Sequence, residues 1–387
     1  MSTLRIRVVV VGISTAGIRA AKTVAELSKK GFPNLQVTLI DKNDFHYHII
    51  GAPRAMVDAE FGKKLLFPLK DLLKDCELDP EYPRHRFIKA ALEAVNSDNT
   101  LKLSTGEIIP FDYLVLSTGT MGPHPSKLRS SSYEDAEREL HRLHDEIGKA
   151  KSVLIIGGGP VGVETAGEIA TTYPSKKVTL VHQGTRLLPA NIKSGVGEGA
   201  ATKLRKAGVK VVLKETIEIP PGVEFNNVVR SLGMRSAEGN WYDSDLQILA
   251  TGSWPLTDYM SALESQTATK LRDGNGWIKI KPTLQLDSEW FPHIFVAGDA
   301  NNHPYTAKYA IKAAQQGNTA GENIIKLIHA EFTDYSYQGG RAGRSMELKE
   351  WKDQFTAILV PVGKDMGVIQ MLGMSMGGSG LPNVMER

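Results

Sequence analysis

From Ile6 to Val11 the chain is apolar and β-branched at all but one position, then breaks at Gly12-Ile13-Ser14-Thr15-Ala16-Gly17. Ile18, Ala20, Ala21, Val24, Ala25 and Leu27 follow at helical spacing. An apolar run bounded by glycine predicts a buried strand, and the 3.6-residue rhythm predicts a helix lying on it. A second strand, Gln36 to Ile40, ends in Asp41 and completes a βαβ unit. The same order returns later: strand Ser152 to Ile156, turn Gly157-Gly158-Gly159-Pro160-Val161-Gly162, a helical stretch through Ile169, and strand Val178 to Val181.

Each copy has a later strand ending in Thr-Gly, Tyr113 to Gly119 for the first and Leu246 to Gly252 for the second. Only the first copy gains a further strand, Ile294 to Ala297, which stops at Gly298-Asp299 and precedes a helix predicted from Ala307 to Ile325. The expected fold class is therefore α/β, with two Rossmann-like dinucleotide-binding folds, the second inserted into the first, plus a small C-terminal α+β domain. The expected boundaries are 1–115 and 255–328 for the first fold, 116–254 for the second, and 329–387 for the tail.

A chain of 387 residues exceeds one ordinary core. Its 41% hydrophobic and 23% charged residues are those of a globular protein. A net charge of +3, from 46 basic and 43 acidic residues, is too small and dispersed for a nucleic-acid partner. Cys76 is the only cysteine, so neither an internal disulfide nor a CxxC metal site can form, and no metal site is expected. The residues around Met1 to Arg5 lack an apolar signal core, and Ser2 stands where N-myristoylation needs glycine. No run reaches the roughly 20 apolar residues of a membrane span. The expected setting is intracellular and cytoplasmic, with peripheral membrane contact or mitochondrial association as alternatives; the oligomeric state is not readable.

In a dinucleotide fingerprint the first glycine makes the turn, the second admits the pyrophosphate, and the third lets helix pack on strand. The anion then rests on the helix N-terminus. Gly157, Gly159 and Gly162 satisfy all three positions, whereas the first copy has Gly12 and Gly17 with Ser14 between them. A serine there is small and is itself a donor to a phosphate oxygen. At the end of the second strand a carboxylate accepts hydrogen bonds from the adenosine ribose, and Asp41 supplies it in the first fold. The equivalent place in the second fold reads Val181-His182-Gln183, with Arg186 nearby; strict NADH selectivity is not expected, and both groups are candidates for a 2′-phosphate. Asp299 is placed to accept from a sugar-alcohol chain, although an aspartate there is equally an ordinary helix N-cap.

Taken together, Gly12 to Gly17 with Asp41, Ser117-Thr118-Gly119, Gly157 to Gly162 with Glu164, Ala250-Thr251-Gly252 and Val296-Ala297-Gly298-Asp299 resemble the pyridine nucleotide-disulfide oxidoreductase superfamily. Phe45-His46-Tyr47-His48 before Pro53-Arg54, Thr306 to Ala310, and Val362 to Val368 resemble its apoptosis-inducing-factor-homologous, ferroptosis-suppressor-type branch, whose members are FAD-containing NAD(P)H:quinone oxidoreductases. The resemblance implies an enzyme that passes hydride from NADH or NADPH to FAD and electrons onward to a small acceptor, with a quinone favoured. It implies FAD contacts at Gly12, Ser14, Thr15, Ala16, Gly17, Asp41, Lys42, Arg54, Thr118, Gly119, Asp299 and Lys308. For NAD(P)H it implies Gly157, Gly159, Pro160, Val161, Gly162, Glu164, His182, Thr251 and Gly252. Lys308 near the flavin ring and Glu164 beside the nicotinamide take the catalytic roles. The sequence departs from the disulfide reductases in one respect: Asp41 to Asp58 holds no cysteine, so dithiol chemistry is out and the flavin must serve its acceptor directly. A protein acceptor, a specialised biosynthetic substrate and a low-turnover redox sensor are the alternatives.

Overall fold

A computed structural model describes residues 5–28, 32, 34–75, 78, 84–123, 127–220, 231–303, 308–333, 347–353, 357–371 and 374–379. Cys76, Thr306 and Ala307 lie outside these residues. The chain divides into two compact units, Met1–His46 with Phe67–Met121 and Trp254–Asp353, and Tyr47–Leu66 with Gly122–Ser253 and Gln354–Arg387.

The first unit is built on a five-stranded parallel sheet in the order Ile294–Val296, Tyr113–Leu116, Ile6–Val11, Leu35–Asp41, His85–Lys89. Ile6–Val11 is central, with Val11 opposite both Ile40 and Leu116. Its side chains alternate between two cores. Val8 and Val10 meet the apolar faces of the helices Thr15–Ser28 and Ala310–Thr333, including Ala20, Val24, Ile324 and Ile328. Val9 and Val11 meet Leu101, Leu103 and Leu114 on the other side. A parallel strand covered on both faces must be apolar throughout, which is why Ile6–Val11 shows no polar alternation.

The second unit repeats the plan with four parallel strands, Lys210–Leu213, Lys177–His182, Ser152–Ile156 and Leu246–Leu249. Ile156 faces Val181 and Leu249, as Val11 faces Ile40 and Leu116. Among the described residues, the strand Ile294–Val296 has no counterpart here.

The units depart from the expected boundaries at residues 47–66, at 116–121, which stay with the first unit, and in the tail. Residues 47–66 group with the second unit, because the short helix Ala52–Ala55 carries Arg54, whose Nε lies 3.4 Å from Glu168 on the helix Pro160–Thr172. The tail is shared: Trp351 and Asp353 belong to the first unit, whereas Ile358–Val362, Met366–Met371 and Met374–Ser379 form an antiparallel sheet in the second. Close backbone approach holds that sheet, since a Cβ at Gly167 would lie 2.8 Å from the Val362 Cα. The last long helix begins at Ala310 rather than Ala307 and runs to Thr333, carried past Ile325 by buried Ile328.

Candidate functional site

The two glycine turns have the same backbone. Gly12 and Gly157 adopt φ of +90° and +118°, and a side chain at either would collide with a carbonyl of the neighbouring Thr-Gly strand, Ser117 or Ala250. Only glycine meets both conditions without strain. Gly17 and Gly162 sit in the first turn of their helices against the carbonyl oxygens of Gly12 and Gly157, with no room for a Cβ. At the middle position the situation reverses: a Cβ on Gly159 would meet nothing within 4 Å. Gly159 caps the helix Pro160–Thr172, with Pro160 and Val161 opening it, while Thr15 and Ala16 open the helix of the first copy. Ser14 is exposed at the matching place. Gly119 and Gly252 also take positive φ, +68° and +104°, and face open space.

The ends of the second strands hold these turns. Asp41 accepts the Ile13 N–H at 2.6 Å and the Asn43 N–H at 2.9 Å. Burial raises its pKa and the backbone donors oppose the shift. His182 occupies the same register position and its Nδ1 accepts the Gly158 N–H at 3.1 Å. An accepting Nδ1 is unprotonated, and burial lowers the pKa of the ring, so His182 is a neutral clasp rather than a cation aimed at a phosphate. Arg186 donates to the carbonyls of Ile192 and Ala190 at 2.7 and 2.9 Å, so its guanidinium is engaged within its own loop. Lys42 is exposed, as are Thr251 and Gly252.

On the expected flavin side, Thr118 Oγ1 lies 2.9 Å from the Leu256 carbonyl and 2.8 Å from the Tyr259 hydroxyl. The Ser117 hydroxyl donates toward the carbonyls of Val11 and Gly12, locking the turn to its neighbouring strand. Lys308 precedes the Ala310–Thr333 helix; its Nζ donates to the carbonyls of Asp299 and Asn301 at 2.8 and 3.1 Å and lies 3.5 Å from the Trp277 ring centre. Burial pushes its pKa down to about 8 against the pull of Asp299 and Asp273. The structure thus joins Lys308 to the Gly298-Asp299 turn.

In the second unit, Glu164 and Glu168 stand one turn apart on the helix Pro160–Thr172. Burial, and then the proximity of Glu168, push Glu164 up to about 8, which keeps it a neutral acid near pH 7. Burial raises the pKa of Glu168 as well, and Arg54 opposes that shift. The structure therefore sets Arg54 beside Glu168 in the second unit.

Several residues outside the sequence-derived set matter as much. Gln316, fully buried, accepts the Gly298 N–H at 2.7 Å and the Asn301 side-chain amide at 2.9 Å through Oε1. Its Nε2 has no hydrogen-bond partner among the described residues, nor has the buried Oδ1 of Asn43 beside Asp41. Orphaned polar atoms next to Asp41 and Gly298, with Ser14 exposed at the middle of the turn, fit a polar dinucleotide such as FAD. A polar residue on the apolar face of the last helix was the available signal for Gln316; Glu168 was signalled by its i+4 spacing from Glu164.

The sequence pattern of the pyridine nucleotide-disulphide oxidoreductases matches residues 6–317. The chain belongs to that family. It is an oxidoreductase, and the cofactors of the family are FAD and NAD(P)H. Ferroptosis suppressor protein 1 of Mus musculus is 27% identical over 375 residues, spanning 96% of this chain and 90% of the relative. Apoptosis-inducing factor homolog A of Dictyostelium discoideum is 30% identical over 341 residues, spanning 84% of this chain and 78% of the relative. Among solved structures, NDH2 from Plasmodium falciparum in complex with NADH superposes with a TM-score of 0.73 at 12% identity, over 99% of this chain and 93% of that one. No helix among the described residues is long and apolar enough to cross a membrane.

Proposed function

We propose that this chain is an FAD-dependent NAD(P)H oxidoreductase whose first unit holds FAD, whose second holds the nicotinamide nucleotide, and whose acceptor is a small molecule, a quinone in the first instance. One observation carries the reading: the same strand, glycine turn and helix are built twice, each with its clasp residue. When bound, FAD accepts hydride from NAD(P)H and passes the electrons on, which needs no thiol, and the single cysteine leaves no dithiol to intervene.

The chain's own part is binding and electrostatics. Gly12 to Gly17 and Gly157 to Gly162 present helix N-termini to the two pyrophosphates. Asp299, in the turn that Gln316 holds, accepts from the flavin's sugar-alcohol chain. Lys308, held against the Asp299 carbonyl, supplies a cation to the flavin side in a site shielded from water. Glu164, as a neutral acid, offers a hydrogen-bond donor on the nicotinamide side without adding charge. The quinone rests on the likeness to the ferroptosis-suppressor-type branch.

The test is anaerobic titration of the purified chain with NADH, followed by mixing of the reduced protein with soluble quinones and with protein acceptors. Bleaching of a flavin band and rapid reoxidation by quinone are expected. Bleaching with slow reoxidation by every acceptor means a redox sensor, and a chain that purifies without flavin ends the reading. Asp299→Ala should weaken FAD by roughly 1–3 kcal/mol, the loss of a hydrogen-bond acceptor for the flavin's hydroxyls.

A further inference from the structure

Beyond the two glycine turns, the first unit contains a buried ion pair with no place in the chemistry above. Lys312 Nζ lies 2.7 Å from Asp353, and the two side chains are 4% and 11% exposed. Residues 347–353 run alongside the Ala310–Thr333 helix in the opposite direction, the Glu347 carbonyl accepting from Lys326 at 2.9 Å and Asp353 from Lys312. Backbone recognition fixes the segment there. The buried Asn323 amide donates to the Lys349 carbonyl at 2.9 Å and accepts the Lys349 N–H at 2.7 Å, as a neighbouring strand would. The same amide donates to the Thr283 carbonyl at 3.0 Å. Trp351, itself buried, donates its N–H to the Pro282 carbonyl at 2.9 Å, and its ring meets His303 edge-on at 4.5 Å.

We propose that residues 347–353 are a strap that sets the register of the Ala310–Thr333 helix under the Gly298-Asp299 turn, with Asp353 and Trp351 as positioning residues for the flavin. The proposal rests on the reading that Asp299 holds the flavin. Lys312 and Gln316 stand one helical turn apart, and Gln316 receives the Gly298 N–H, so rotation or sliding of the helix at Lys312 moves the acceptor that holds the turn. His303, in the segment that follows the same turn, is met by Trp351, so the strap touches both the helix and the segment it supports. A buried ion pair is seldom the most stable occupant of its space, because well-packed apolar residues do as well or better without the desolvation cost. It is far more selective in geometry, since a short charge-assisted hydrogen bond admits one distance and direction where apolar contact tolerates sliding.

The experiment separates register from stability. In Asp353→Asn, Lys312 is left without its counter-charge and the melting temperature falls. In the double variant Lys312→Met with Asp353→Leu, apolar packing replaces the pair and the melting temperature returns close to wild type. FAD affinity does not return: the dissociation constant stays raised about tenfold, the size of one misplaced hydrogen bond. Hydrogen exchange in a peptide covering residues 297–302 stays faster than wild type in both variants. A double variant that is folded and binds FAD within twofold of wild type overturns the proposal. If that variant does not fold, unchanged exchange of the 297–302 peptide in Asp353→Asn overturns it. Asp299→Ala keeps the two readings apart, because full FAD occupancy in that variant sinks the flavin assignment whatever the strap variants do.

Discussion

Asp41 and His182 stand at the same place in their two sheets, one residue beyond the pairs Val11 with Ile40 and Ile156 with Val181. Both accept a backbone N–H from the residue after the first glycine, Ile13 in one case and Gly158 in the other. The turn needs an acceptor there, and either a carboxylate or a neutral imidazole serves. What differs is charge: a carboxylate there would repel a 2′-phosphate and a neutral ring would not. The middle positions differ in the same tolerant way, serine in one copy and glycine in the other, because the space beyond is open to a small side chain. The two outer glycines are identical in both copies, where backbone crowding leaves no alternative.

The sharpest break of this comparison is Gly159→Val. A branched side chain in the open space overpacks the nucleotide by about 3 kcal/mol, roughly 100-fold in affinity. Stopped-flow bleaching by NADH and NADPH should collapse while FAD content stays near wild type. Gly159→Ser, which copies the first turn, should change the rate only a few-fold. Loss of FAD with retained nicotinamide binding would reverse the assignment of the two units.

Next in size is Lys308→Met, which keeps the stem and deletes the cation on the flavin side alone. Turnover with a soluble quinone should fall about 10- to 100-fold, toward the lower end of what one preorganised electrostatic contact supplies. Wild-type turnover should decline as pH rises through about 8, where the ammonium is lost, and the variant should lack that step. Rates equal within a factor of two would make Lys308 a structural lysine that only ties down the Asp299 carbonyl.

His182→Asp turns the second clasp into the first. Wild-type protein should use NADH and NADPH within about tenfold of each other, and the variant should disfavour NADPH by a further factor of about ten, or roughly 1.4 kcal/mol. A thousandfold preference for NADH in the wild type would contradict a clasp without charge.

A last test, on stability rather than rate, concerns Glu164. Its folded pKa, about 8, lies above the ordinary 4.5, so between those values the folded chain keeps a proton that the unfolded chain has released. Stability therefore falls as pH rises through that window. Glu164→Gln should flatten the decline in melting temperature between pH 5 and pH 8. An unchanged slope would mean that Glu164 is ionised at neutral pH.

The duplicated fold was legible in the sequence because its causes are local. A doubly covered strand must be apolar, a turn with positive φ and a crowded helix start must have glycine, and both requirements appear as short contiguous patterns, Ile6 to Gly17 and Ser152 to Gly162. The absence of dithiol chemistry also follows from the sequence alone, since one cysteine cannot make a pair. What His182, Arg54, Gln316 and Asp353 do was decided only by tertiary structure. Each acts through a partner distant along the chain: Gly158 is 24 residues from His182, and Asp353 is 41 residues from Lys312. A hydrogen bond or ion pair depends on distance and direction in space, and periodicity carries neither. The residue type at 182 suggested a cation, but a backbone N–H pointing at its Nδ1 and the burial of its ring made it a neutral acceptor.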